Sequence, residues 1–154
     1  MRKPVLKIKR LYKKATIPQQ TTLGSCGFDV SIIDDVNIFP HNRVACHTGL
    51  AMAIPKGYHG ELHIRSSLGI KGIRLANCTG IIDSDYRGEI ICVLQNDNDT
   101  TLHLKEGARI AQLLLYKDPA FNIKVVDVLD KTDRNEGGFG STNNIQIENK
   151  GEDK

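Results

Sequence analysis

Two stretches of this chain concentrate groups that can do chemistry. Gly80-Ile81-Ile82-Asp83-Ser84-Asp85-Tyr86-Arg87-Gly88 sets a carboxylate and an aromatic ring three residues apart, in a turn that leads into an apolar strand. A carboxylate beside apolar neighbours can have its basicity tuned and can orient a water, as a general base must. Asp83-Ser84-Asp85 also has the composition of a plain tight turn, with Asp85 on the face of Asp83 only if the segment is extended. Tyr86 is either packing or the wall for a sugar. The second stretch, Gly137-Gly138-Phe139-Gly140-Ser141-Thr142, follows Arg134. Its glycines permit positive φ and close backbone approach. Phe139 could then stack on a base, with Arg134, Ser141 and Thr142 on phosphate. A flexible linker would have a similar composition. A small rigid pocket paired with a closing arm points to an enzyme acting on a phosphorylated, aromatic-faced small molecule.

Further candidates lie upstream. Arg65-Ser66-Ser67 ends an alternating apolar segment. An arginine followed by two hydroxyls and free N–H groups at the start of a helical turn is a ready anion site, and equally a capped helix start with a surface ion pair. Asp29, between Phe28 and Val30, puts a carboxylate at the mouth of a strand, where carboxylate, phosphate oxygens and water together hold Mg²⁺. His59 and His63 are four apart, which on a strand does not make a metal pair; all five histidines are read as structural or surface groups.

The elements that must position these groups are strands. Apolar residues recur with period two around Val5, Leu6 and Ile8, at Leu62 and Ile64, and at Leu102 and Leu104. Denser runs, Gly49 to Ile54, Ile90 to Leu94, Ile110 to Leu115 and Ile123 to Leu129, read as strands buried on both faces or bridging two sheets. Turn signals separate them, among them Pro55-Lys56-Gly57 and Lys105-Glu106-Gly107. No segment carries a sustained helical stripe. About a dozen short strands predict an all-β sandwich, jelly roll or barrel. The core-forming pattern stops near Asp130, so residues 1–130 read as one β domain and 131–154 as a flexible arm.

Composition narrows the class. The 154 residues contain no Trp and few aromatics, so the core must be aliphatic. Seven basic residues and no acidic one fall in the first fourteen positions, so the remainder is net −4 against +3 for the whole chain. Tyr12 is the only aromatic in that basic stretch, which favours a solvated strand over nucleic-acid binding. Cys26, Cys46, Cys78 and Cys92 form no CxxC pair, which argues against a metal knuckle, and reduced, buried thiols are expected. Met1 is followed by charge rather than an apolar run, and the longest uncharged apolar run is too short to span a bilayer. A cytoplasmic location without membrane contact is therefore expected.

On these residues the chain resembles the homotrimeric dUTP pyrophosphatase (dUTPase) family. Five motifs stand in order: Cys26-Gly27-Phe28-Asp29-Val30; Arg65-Ser66-Ser67-Leu68-Gly69; Asn77 through Gly80, Asp83 and Tyr86 to Gly88; Gly107-Ala108-Arg109-Ile110-Ala111-Gln112; and Arg134 to Thr142. The resemblance implies a distorted jelly-roll barrel, a trimer with sites shared between subunits, and Mg²⁺-dependent hydrolysis of dUTP to dUMP and pyrophosphate. It implies Asp83 as general base at the α-phosphorus and Tyr86 under the deoxyribose, excluding a 2′-hydroxyl. Asn77, Gly80, Ile82 and the hairpin backbone would read uracil. Arg65, Ser66, Ser67 and Gln112 would hold phosphates, and Asp29 would act on Mg²⁺ through water. Phe139 would close over uracil, with Arg134, Gly140, Ser141 and Thr142 toward the terminal phosphate.

The chain departs from the family pattern at Cys26, where Ala is usual, and at Asn135, where Gly is usual and a stiffer hinge would follow. Arg65-Ser66-Ser67-Leu68-Gly69 also resembles the dCTP deaminases, a sister family on the same fold. The positions where those enzymes carry a further Arg and a Glu are here Ile70 and Val93, which cannot do that chemistry. A binding or regulatory protein on the same fold is the alternative from another class, with the basic N-terminus and residues 145–154 as contact regions.

Overall fold

A computed structural model of the protein describes residues 3–138. The chain divides into two units, Met1–Ala120 and Phe121–Lys154. In the first, ten strands follow in order: β1 Lys7–Arg10, β2 Phe28–Ser31, β3 Val36–Ile38, β4 Arg43–Ala53, β5 Tyr58–Ile64, β6 Ile73–Leu75, β7 Gly80–Ile82, β8 Glu89–Asn96, β9 Leu102–Leu104 and β10 Arg109–Lys117. One helical turn, α1, covers Ser66–Gly69 between β5 and β6.

Two four-stranded sheets, ordered β1-β4-β8-β6 and β2-β10-β5-β7, accompany a two-stranded ribbon, β3-β9. Every pairing is antiparallel. This is a distorted jelly roll, and the period-two pattern produces it directly. In β8, Ile90, Cys92 and Leu94 point into the core while Ile91 and Val93 point out. The expectation that β8 is buried on both faces is corrected by that alternation: Ile91 and Val93 remain 40% and 36% exposed. Among the described residues the buried set includes Val30, Ile32, Leu50, Leu62, Leu75, Leu94, Ile110 and Leu113 and contains no aromatic, in keeping with the composition. Each such side chain contributes about 1.5–3 kcal/mol by leaving water.

Two side chains pin the sheets locally. The β4–β8 register shifts between His47 and Ala51, where Gly49 adopts a φ of +66°. The Glu89 carboxylate fastens this bulge, accepting from the Gly49 N–H at 2.8 Å and lying 2.9 Å from His47 Nδ1. The buried Asn96 donates from Nδ2 to the carbonyls of Ile38 at 2.9 Å and Thr100 at 2.8 Å, tying β8 to the ribbon.

Three further sequence expectations change. Ile123 to Leu129 forms no strand; Ile123, Val125, Val128 and Leu129 are exposed, because residues 121–138 offer neither a pairing edge nor an apolar cover among themselves. Cys26 and Cys78 are exposed; only Cys46 and Cys92 are buried, and burial pushes those thiols up to about 11 and about 12. Neither Ser66 nor Ser67 caps α1: the N-cap is Arg65, in extended conformation and without a capping side-chain bond.

Candidate active site

Five of the predicted residues meet in one cleft of about 210 Å³ where β7 turns into β8: Asn77, Gly80, Ile82, Asp83 and Tyr86. The three residues of β7 pair with β5, Gly80 opposite Leu62 and Ile82 opposite Gly60, which buries Gly80 and Ile82 and leaves Ile81 outside. Asp83 then stands exposed at the strand's end. The turn beyond it is closed by its own backbone: the Tyr86 N–H donates to the Asp83 carbonyl at 3.2 Å. Arg87 locks it from outside, Nη1 donating to the carbonyls of Ser84 and Tyr86, both at 2.7 Å. The Tyr86 hydroxyl donates to the Glu89 carbonyl at 3.0 Å, holding the ring against the cleft.

A second group forms where β2, β10 and the end of β5 converge. Gln112 lies directly opposite Asp29 on β2 and His63 on β5, so register places these three on one sheet face. The Asp29 side chain is only 6% exposed. Its Oδ2 accepts from Arg109 Nη1 and from the Thr21 hydroxyl, each at 2.9 Å. Arg65 Nε lies 3.1 Å from Oδ1, close enough for an ion pair but not aligned as a hydrogen bond, and Oδ1 is left a buried oxygen with no hydrogen-bond partner. Arg65 itself is anchored by its backbone N–H on the Ile110 carbonyl at 3.2 Å. Ser66 and Ser67 come next on α1, both exposed. A cleft of about 300 Å³ opens beside Asp29, lined by Thr16, Gln19, Gln20, Thr21 and Arg109 among others. The two clefts share no lining residue. A single chain therefore gathers the predicted residues into two separate groups.

Arg134 belongs to the second unit. There it donates from Nε to the Gly137 carbonyl at 2.8 Å, and the Gly137 N–H returns a bond to the Arg134 carbonyl at 2.9 Å. Asn135 takes a φ of +43° and exchanges bonds with Thr132, each at 3.0 Å. The left-handed region explains the departure at this position: among side-chain-bearing residues, Asn tolerates it best. Phe139, Gly140, Ser141 and Thr142 lie outside the described residues.

Asp29 fits a divalent cation held at one remove. A direct cage needs several oxygen ligands, and among the described residues no group of three or more His, Cys, Asp or Glu is placed to hold a metal. The one unpartnered oxygen of Asp29 suits a bound water. The histidines take other partners: His63 Nε2 lies 2.8 Å from Glu61, and His59 sits between Glu61 and Asp118. Sequence reasoning gave no separate role to Thr21, Gly88, Glu89 or Arg109. Arg109 lies three residues before Gln112, but its bond to Asp29 depends on the register of β10 with β2, which has no local signal.

The dUTPase family model matches residues 13–143. The chain belongs to the dUTPase family. Like other members it is similar to the deoxyuridine 5′-triphosphate nucleotidohydrolase of Finegoldia magna, with 41% identity over 141 residues covering 89% of this chain and 99% of that protein. It is 40% identical over 138 residues to the enzyme of the same name from Paramecium bursaria Chlorella virus 1, covering 89% of this chain and 96% of that one. Among solved structures, the Staphylococcus bacteriophage 80alpha dUTPase, a mutant with dUpNHpp, superposes with a TM-score of 0.83 at 26% identity, over 89% of this chain and 97% of that one. In this dUTPase fold, the cleft at the β7–β8 turn and the Asp29 cluster are the two places where the family's first four motifs come together.

Proposed function

We propose that the protein hydrolyses dUTP to dUMP and pyrophosphate, and so both limits uracil incorporation into DNA and supplies dUMP. The observation that carries this reading is the cleft at the β7–β8 turn, where Asn77, Gly80, Ile82, Asp83 and Tyr86 converge. Asp83, whose carboxylate is free of any protein partner among the described hydrogen bonds and ion pairs, is the general base: it takes a proton from a water attacking the α-phosphorus in line. Asn77 and the β7 backbone read the uracil edge, and the Tyr86 ring supports the deoxyribose and leaves no room for a 2′-hydroxyl. Arg65, Ser66, Ser67 and Gln112 hold phosphate oxygens and fix the line of attack. The family resemblance assigns Arg134, Ser141 and Thr142 to the terminal phosphate and Phe139 to the uracil face.

Asp29 holds Arg65 and Arg109 in place, and its Oδ1, which faces Arg65 but accepts no hydrogen bond, would take one from a water of a triphosphate-bound Mg²⁺. That ion would neutralise phosphate charge. We further propose that the working enzyme is a homotrimer in which the two residue groups face each other across subunit boundaries. The absence of a shared lining residue and the outward Ile91 and Val93 of β8 support this arrangement. Ile70 and Val93 supply neither charge nor proton, which argues against deamination of dCTP.

The test is product analysis with Mg²⁺ on dUTP, dCTP, dTTP and UTP in parallel. Pyrophosphate and dUMP from dUTP alone are expected. A uracil nucleotide from dCTP would establish the deaminase reading instead, and no turnover of any of the four would move a binding role to the front.

A further inference from the structure

The Tyr86 ring does not stand freely beside the cleft; it lies across the backbone of Gly88. A Cβ added at Gly88 would fall 2.6 Å from Tyr86 Cζ and 3.0 Å from Cε2, closer than real Cβ contacts allow. Gly88 is not among the residues of positive φ. Its backbone suits any residue, so what the position requires is space for the ring, not conformational freedom. One residue on, the Glu89 carbonyl accepts the Tyr86 hydroxyl at 3.0 Å. That carbonyl is itself held. The Glu89 side chain, 17% exposed, grips the β4 bulge through the Gly49 N–H and His47. Ring plane and ring tip are thus fixed by two adjacent residues, one by lacking a side chain and the other by being anchored to the opposite strand.

We propose that Gly88 and Glu89 are positioning residues that set the plane of Tyr86 and with it the enzyme's discrimination between 2′-deoxyribose and ribose triphosphates. The proposal rests on the function proposed above and adds the residues that make its sugar selection possible. Because the added methyl of Gly88→Ala meets the ring rather than strained backbone, it acts by turning Tyr86 out of plane. The methyl's effect must then vanish when the ring is absent.

A double-mutant cycle reads this directly. kcat/KM for dUTP and for UTP is measured on the natural protein, Gly88→Ala, Tyr86→Ala and the double variant, with thermal melts of each. Gly88→Ala is expected to lower the dUTP-to-UTP ratio by about tenfold or more, comparable to other single steric determinants. The double variant should match Tyr86→Ala within about twofold, the methyl having nothing left to strike. A ratio unchanged in Gly88→Ala overturns the proposal, as does a further drop in the double variant. If Gly88→Ala does not fold, the double variant must fold; its failure would show that the glycine serves the backbone and not the ring. Failure of the natural protein to hydrolyse dUTP would count against the proposed function, a result separate from all of these.

Discussion

At the scale of single residues, the proposed site rests on carboxylates in opposite circumstances. Asp83 is exposed at the end of β7 and its carboxylate has no partner among the described residues' bonds, while Asp29 is buried and serves two arginines. The exposed one is free to act on a proton; the buried one is fixed as a support. Asp83→Asn is therefore expected to fold normally, with an unchanged melting temperature, and to lose about 10²–10⁴-fold in kcat, the usual contribution of a positioned base. Near-normal turnover would remove Asp83 from the chemistry. That Asp83 and Tyr86 share one cleft was legible from sequence because their pattern is local, three positions apart within one turn. Arg109, Thr21 and Glu89 were not, because each acts on a residue on a distant strand or across a loop, and strand register has no signature in the residues themselves.

At the scale of elements, the strands were legible wherever apolar residues alternate, since alternation is the direct image of a sheet with one face inside. The same reasoning failed at Ile123 to Leu129, where the residues favour a strand but no edge pairs with them among the described residues of their own unit. A strand needs a partner as well as a pattern. Two elements carry testable ties. Asn96 serves several carbonyls at once, so Asn96→Ala should destabilise by about 1–3 kcal/mol through the buried carbonyls it orphans, as measured by denaturant unfolding. On the outer face of β5 and β10, hydrogen bonding to Asp118 raises His59 above its usual 6.5, and hydrogen bonding to His63 draws Glu61 below 4.5. The His59 contribution is complete below pH 6.5 and fades as pH rises through its raised value. The Glu61 contribution is present above pH 4.5 and fades as pH falls through its lowered value. Both act together between those limits. The melting-temperature gap between the natural protein and His59→Gln should accordingly be wider at about pH 5.5 than at about pH 8.5.

At the scale of the whole molecule, two clefts that share no lining residue, together with apolar side chains facing outward, support the proposed assembly with shared sites. Sedimentation should give three times the 17.1 kDa chain mass, and truncation after Asp130 should leave a folded assembly of that size with severely reduced kcat. Unchanged kinetics would reduce the segment to a linker. The distribution of thiols has its own consequence for handling the protein. Cys46 and Cys92, in register on β4 and β8, are sealed in the core and held protonated well beyond neutrality, whereas Cys26 and Cys78 are open to solvent. A maleimide dye at neutral pH should therefore attach at two positions without any cysteine being removed. Cys78 adjoins Asn77 at the rim of the β7–β8 cleft, so in a Cys26→Ser background the dye becomes an optical reporter of what enters that cleft.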